Sequence, residues 1–105
     1  MGLCQCLVQE GQVSPETQTL LLADMTDYAK RHFGAAPEFK WTVIGKGNGF
    51  TAAKPSNSVI ISMRANRSMP VSEREPLLRE LGDIWTTRTG LTSHELVTVI
   101  SDPLA

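Results

Sequence analysis

Apolar positions recur along the chain with two alternating periods. Leu3 to Val8 (LCQCLV) is apolar except at Gln5, the pattern of a strand buried on both faces. The period then lengthens. Leu21, Met25, Ala29 and His32 fall on one helical face, with Leu22 and Tyr28 beside them. Ser14-Pro15-Glu16 predicts the start of that helix: a capping hydroxyl, a proline where no amide bond is lost, and an acid near the positive helix end. Gly34 predicts its stop. Phe39 to Ile44 (FKWTVI) alternates and predicts a strand with Phe39, Trp41 and Val43 on one face. Val59 to Met63 (VIISM) opens the same series again. Ser72-Glu73-Arg74-Glu75 reads as a capping box, with Pro76 tolerated in the first turn. Leu77, Leu81, Ile84 and Trp85 make the apolar stripe, Gly90 the stop, and Leu96 to Ile100 (LVTVI) the last strand.

The two halves superpose on paper. Gly34 matches Gly90, and Thr42-Val43-Ile44 matches Thr98-Val99-Ile100, both at an offset of 56, whereas Ser14 and Ser72 are 58 apart. This predicts one α/β (α+β) domain over residues 1–105, made of two βαβ repeats (2–44 and 58–101) joined by a linker (45–57). Right-handed crossovers make each repeat's strands parallel, giving a four-stranded mixed sheet with both helices on one face. The other face is then bare. With Leu3, Cys4, Cys6 and Leu7 apolar on both sides of their strand, the bare face is expected to meet other subunits.

Composition narrows the classes. A net charge of −1 provides no basic field for nucleic acid, and 41% apolar residues are ordinary for a globular chain. No apolar run approaches a membrane span and the N-terminus lacks a signal-peptide pattern, so a cytoplasmic protein without membrane partners is expected. Cys4 and Cys6 share a strand face, where they cannot bond to each other, and His32 and His94 have no ligand spacing. The expectation is buried thiols and no metal.

The linker GKGNGFTAAKPSNS reads as loop. It lacks the phosphate-loop spacing and a following helix. Lys46-Gly47-Asn48-Gly49-Phe50 in a βαββαβ chain resembles the third strand of the RNA-recognition module. Asn48 stands in the aromatic position, however, and no ring follows Phe50, so RNA binding is the minor alternative.

The candidate chemistry lies in ISMRANRSM, where Arg64 and Arg67 follow the third strand directly. Two guanidinium forks at a strand end suit a small carboxylate and can stabilise negative charge growing on an enolate oxygen. The competing reading is surface ion pairs with Glu73, Glu75 or Glu80.

This arrangement resembles the tautomerase superfamily, most closely its cis-3-chloroacrylic acid dehalogenase branch, with the macrophage migration inhibitory factor branch sharing the fold. The resemblance spans nearly the whole chain: the first strand at the very N-terminus, Thr26-Asp27 in helix one, Gly47-Asn48 with Phe50 in the linker, and Arg64 with Arg67. It implies a homotrimer with sites between subunits, no cofactor or metal, arginines that bind a substrate carboxylate, and an N-terminal amine that moves a proton. In that family the amine belongs to a proline; here residue 2 is Gly2. Removal of Met1 would expose a primary amine, and nearby Arg64 and Arg67 would lower its pKa toward that of a useful base. The dehalogenase branch's histidine falls near Ala29, its last-strand tyrosine near Val99, and its glutamate beyond Ala105, against hydrolytic dehalogenation. The expectation is a weak tautomerase (an isomerase) acting on a 2-keto or enol acid, with Gly2 catalytic and Arg64 and Arg67 binding substrate. The alternative is a catalytically silent scaffold that retains an anion pocket.

Overall fold

The computed structural model describes residues 2–45, 50–51, 54–55 and 58–103. The elements are β1 (Leu3–Gln9), α1 (Pro15–Phe33), β2 (Glu38–Ile44), β3 (Phe50–Thr51), β4 (Lys54–Pro55), β5 (Val59–Arg64), α2 (Val71–Thr89), a 3-10 turn at Ser93–Glu95, and β6 (Leu96–Ser101). The main sheet runs β2-β1-β5-β6. β1 is parallel to β2, β5 is parallel to β6, and the central pair β1 and β5 is antiparallel. These are the two βαβ units that the repeat predicts, joined through their first strands.

Local chemistry sets the helix ends. Ser14 Oγ accepts from Thr17 N at 3.2 Å, and Pro15 opens α1. Gly34 and Gly90 close the two helices with φ of 79° and 75°, a left-handed conformation that costs glycine nothing. α2 departs from expectation at its start. Pro70, not Ser72, is the residue before the first turn, and it makes no side-chain cap bond. Ser72 therefore lies inside the helix, and Pro76 sits in the second turn, not the first. A capping box does form, at Thr92 and Glu95 ahead of β6. With Pro70 as the boundary, both helices are 19 residues long and the flanking caps (Ser14 and Pro70, Gly34 and Gly90) all lie 56 residues apart. The two-residue difference between repeats shows instead in the strand register. Leu7 pairs with Thr42, 35 residues on, whereas Ile61 pairs with Thr98, 37 residues on. The longer connection from α2 to β6, which holds the 3-10 turn, accommodates it.

The core lies between the helices and one face of the sheet. Cys4, Cys6 and Val8 of β1 and Val59, Ile61 and Met63 of β5 pack against Leu21, Met25, Tyr28 and Ala29 of α1 and Leu77, Leu81 and Trp85 of α2. Trp85 stacks on Trp41 at a centroid distance of 5.7 Å, and its Nε1 donates to Met25 Sδ at 3.4 Å. Tyr28 is fully buried and donates its hydroxyl to the Leu77 carbonyl at 2.8 Å, tying α1 to α2. Burial pushes the Tyr28 hydroxyl pKa up, and the Glu80 charge adds to that. Cys4 and Cys6 are free, buried thiols. Hydrogen bonding of the Cys6 thiol with Cys4 and the loss of water push its pKa well above the ordinary value, so it is an inert core group.

Two further expectations, those for β1 and for the linker, are corrected, while Phe39, Trp41 and Val43 share one face of β2 as expected. β1 is buried on one face only, because Leu3 and Leu7 are half-buried and Gln5 is exposed. β2 is an edge strand, so Phe39 and Trp41 reach the core while Val43 stays 55% exposed. The linker, read as loop, contains the short antiparallel pair β3 and β4. No described helix is long and apolar enough to cross a membrane.

Among the described residues, no helix packs on the opposite sheet face. Its central row runs Thr42, Leu7, Ile60, Val97, and the next runs Lys40, Gln5, Ser62, Val99. Ile60 is 37% exposed, Val97 45% and Val99 39%. A third row, at the end where β1 and β2 begin and β5 and β6 finish, carries Glu38, Leu3, Arg64 and Ser101.

Candidate functional site

That end of the sheet brings two of the predicted residues, Gly2 and Arg64, together. Antiparallel pairing of β1 with β5 places the last residue of β5 beside the start of the chain. Gly2 is held by its carbonyl, which accepts from Glu38 N at 3.2 Å. A β-carbon on Gly2 would lie 3.0 Å from the Arg64 carbonyl oxygen, 3.1 Å from Arg64 Cβ and 3.3 Å from its Cγ. The backbone at residue 2 thus rests directly on the stem of Arg64.

Arg64 lies on the open face, in line with Ile60 and Ser62 by strand alternation. Among the described residues it is the one arginine without a carboxylate in ion-pair range. Arg31 is paired with Asp27 and Glu80, Arg67 with Glu73, Arg74 with Asp102, Arg79 with Glu75, and Arg88 with Asp24. The two readings of the arginine pair are therefore divided between its members. Arg64 presents a free fork at the sheet end. Arg67 turns to Glu73 in the first turn of α2, and the Arg67 guanidinium holds the Glu73 carboxyl below the usual carboxylate range.

The connection from β5 to α2 is anchored at both ends. Ala65 N donates to the Ser101 carbonyl at 2.8 Å, and Asn66 Nδ2 donates to the Phe33 carbonyl at 2.8 Å. At the far end Arg74 Nη2 reaches the Met69 carbonyl at 2.9 Å and Asp102 Oδ1 at 2.6 Å. Met69 N also donates to Asp102 Oδ1, at 3.4 Å. Met69 and Ala65 are buried. Arg67 and Ser68 form an exposed arch between these anchors. Arg74 and Asp102 carry no local sequence signal for this task, since the bond between them spans 28 residues.

Other candidates lie elsewhere. His32 Nε2 meets Glu80 Oε1 at 2.9 Å at the end of α1, and His94 is exposed in the 3-10 turn. Tyr28 is in the core. Ala29, near the dehalogenase histidine position, is buried beneath the sheet, and Val99, near the tyrosine position, is on the open face. Met1, Lys46 and Gly47-Asn48 lie outside the described residues. A groove of about 360 Å³ between α2 and β6, lined by Leu78, Gly82, Leu96 and Thr98 among others, contains neither Arg64 nor Arg67. No three metal-ligating side chains cluster among the described residues.

No protein-family model matches the sequence, and no curated protein matches it. Solved structures do. The crystal structure of native Ps01740 aligns with a TM-score of 0.89 at 24% identity, over 98% of this chain and 95% of that one. N1, a member of the cis-3-chloroacrylic acid dehalogenase family, aligns with a TM-score of 0.85 at 11% identity, over 96% of this chain and 74% of that one. Wild-type fused 4-OT, a symmetric trimer, aligns with a TM-score of 0.82 at 15% identity, over 96% and 85%. The fold implied by the sequence resemblance, that of the tautomerase superfamily, is the fold the chain has.

Proposed function

We propose that the protein binds a small 2-keto or enol acid by its carboxylate at Arg64, with Arg67 as second ligand, and interconverts keto and enol forms by proton transfer at the Gly2 amine. One observation carries this reading: the backbone carbonyl and side-chain stem of Arg64, the one arginine without a carboxylate partner among the described residues, lie against the residue whose amine would begin the mature chain. A planar fork with no internal partner is suited to a carboxylate. With Met1 removed, the amine would take the enol hydroxyl proton and return it to the carbon beside the carbonyl. Guanidinium charge would stabilise the oxygen that becomes negative on the way. The open apolar sheet face favours a homotrimer, the assembly of the fused 4-OT relative, with the site at a subunit boundary.

A second reading, a carboxylate-binding scaffold without turnover, is favoured by the Arg67–Glu73 pair and by the absence of a ring to aim the amine. Intact mass decides whether Met1 is removed. Turnover of phenylenolpyruvate and 2-hydroxymuconate, compared with Arg64→Ala, decides between the two. Turnover that falls at least about tenfold in Arg64→Ala supports the enzyme. Arg64-dependent binding without turnover supports the scaffold, and binding that ignores Arg64 overturns both.

A further inference from the structure

We propose that Glu73 is an internal stand-in for the substrate carboxylate: it holds Arg67 in the unliganded protein and must be exchanged for the ligand when Arg67 engages it. The inference rests on the carboxylate-binding reading above. It resolves a conflict within that reading, because a guanidinium already committed to a carboxylate cannot also be a free substrate fork.

The geometry suits an exchange of partners. Arg67 and Glu73 are six residues apart, and their side chains are 46% and 41% exposed. Both ends of the intervening connection are fixed, at Ala65–Ser101 and Asn66–Phe33 on one side and at Met69–Asp102–Arg74 on the other. Releasing the pair therefore needs side-chain rotation but no movement of the backbone anchors. Glu73 also sits in the first turn of α2, where the positive helix end stabilises its carboxylate after Arg67 leaves. Exchanging one carboxylate for another on an exposed guanidinium costs little, since solvent-exposed ion pairs are weak. Arg64 needs no such release. One arginine is therefore ready for the ligand while the other is latched, and the latch sets a threshold on affinity without blocking the site.

The test is calorimetric titration with phenylpyruvate of the wild type, Glu73→Gln, Arg67→Ala, the double variant, and Glu75→Gln as a control whose partner is Arg79. Glu73→Gln keeps the side-chain shape and removes the charge, and its unfolding temperature is expected to stay near that of the wild type. Glu73→Gln is expected to bind about 1.4- to five-fold tighter, the range that surface ion pairs imply. The gain should vanish in the double variant, and Glu75→Gln should match the wild type. Binding in Glu73→Gln alone, with none in the wild type, would make the pair a block on the site and overturn the threshold. Equal affinity in Glu73→Gln and a wild type that binds through Arg64 overturns the latch and leaves the carboxylate site standing. A gain that survives Arg67→Ala overturns it too, because Glu73 would then act only as a nearby charge. No binding in either protein removes the carboxylate reading and the latch with it.

Discussion

Residue 2 and Arg64 are in contact so close that a side chain on the first fits only if Arg64 gives way by a few tenths of an ångström. A methyl group on Gly2 would meet the Arg64 carbonyl oxygen at 3.0 Å and its Cβ at 3.1 Å. Glycine here permits the first strand to lie against the residue proposed to hold the ligand. Gly2→Ala is expected to lower stability by about 1–3 kcal/mol, the usual cost of overpacking. Gly2→Pro should suffer the same crowding, so a proline ring at this position would displace Arg64 as well as change the amine. Thermal unfolding and carboxylate affinity check this together: both should fall in Gly2→Pro, and an unchanged melting temperature in Gly2→Ala would contradict the close approach.

The open sheet face makes a second expectation. Ile60 and Val97 are neighbours in its central row. If another copy of the chain covers that row, Ile60→Glu buries an unpaired charge at the interface and should shift the mass in light scattering from trimer to monomer. A wild-type protein that is already monomeric at micromolar concentration would remove the assembly.

Gly82 offers a gain in stability. It lies inside α2, and a β-carbon there would meet nothing within 4 Å. Gly82→Ala should therefore stabilise the fold by up to about 1 kcal/mol through helix propensity alone. Chemical denaturation measures it, and a loss would mean that the adjacent groove needs to be open.

Acid should weaken the fold through two glutamates. Burial pushes the Glu80 carboxyl up, but bonds from Arg31 and His32 outweigh it and leave the carboxyl below its usual range. Arg67 lowers Glu73 in the same direction. A depressed folded pKa means stability that is complete above the ordinary glutamate value and is lost as pH falls through the folded value. Melting temperature is expected to be flat from neutrality down to the ordinary glutamate range and to decline below it. Glu80→Gln should make that decline shallower, by an amount within the roughly 0.2–1 kcal/mol typical of surface pairs. An identical acid limb in Glu80→Gln would show that the pair contributes nothing.

Much of this protein was legible one element at a time. Ser14-Pro15, Gly34 and Gly90 mark their helix ends because a cap depends on a few neighbouring atoms. The 56-residue repeat and the change of period from two to 3.6 carry the element order and, through the right-handed crossover, the sheet. Local signals also misled where two competed. Ser72 has the better capping chemistry, yet Pro70 is the boundary and α2 begins at Val71, in step with the length of α1.

What only the tertiary structure decided lies between residues far apart in the chain. Arg64 and Arg67 look alike in sequence, and strand register gave one of them Gly2, 62 positions away, while the start of α2 gave the other Glu73. β1 looked apolar on both sides, and only the placement of the helices determined which side is core. Periodicity and caps are properties of a few successive residues, so the chain declares them itself; which charge remains unpaired depends on how separate strands and helices dock, and no local pattern encodes that.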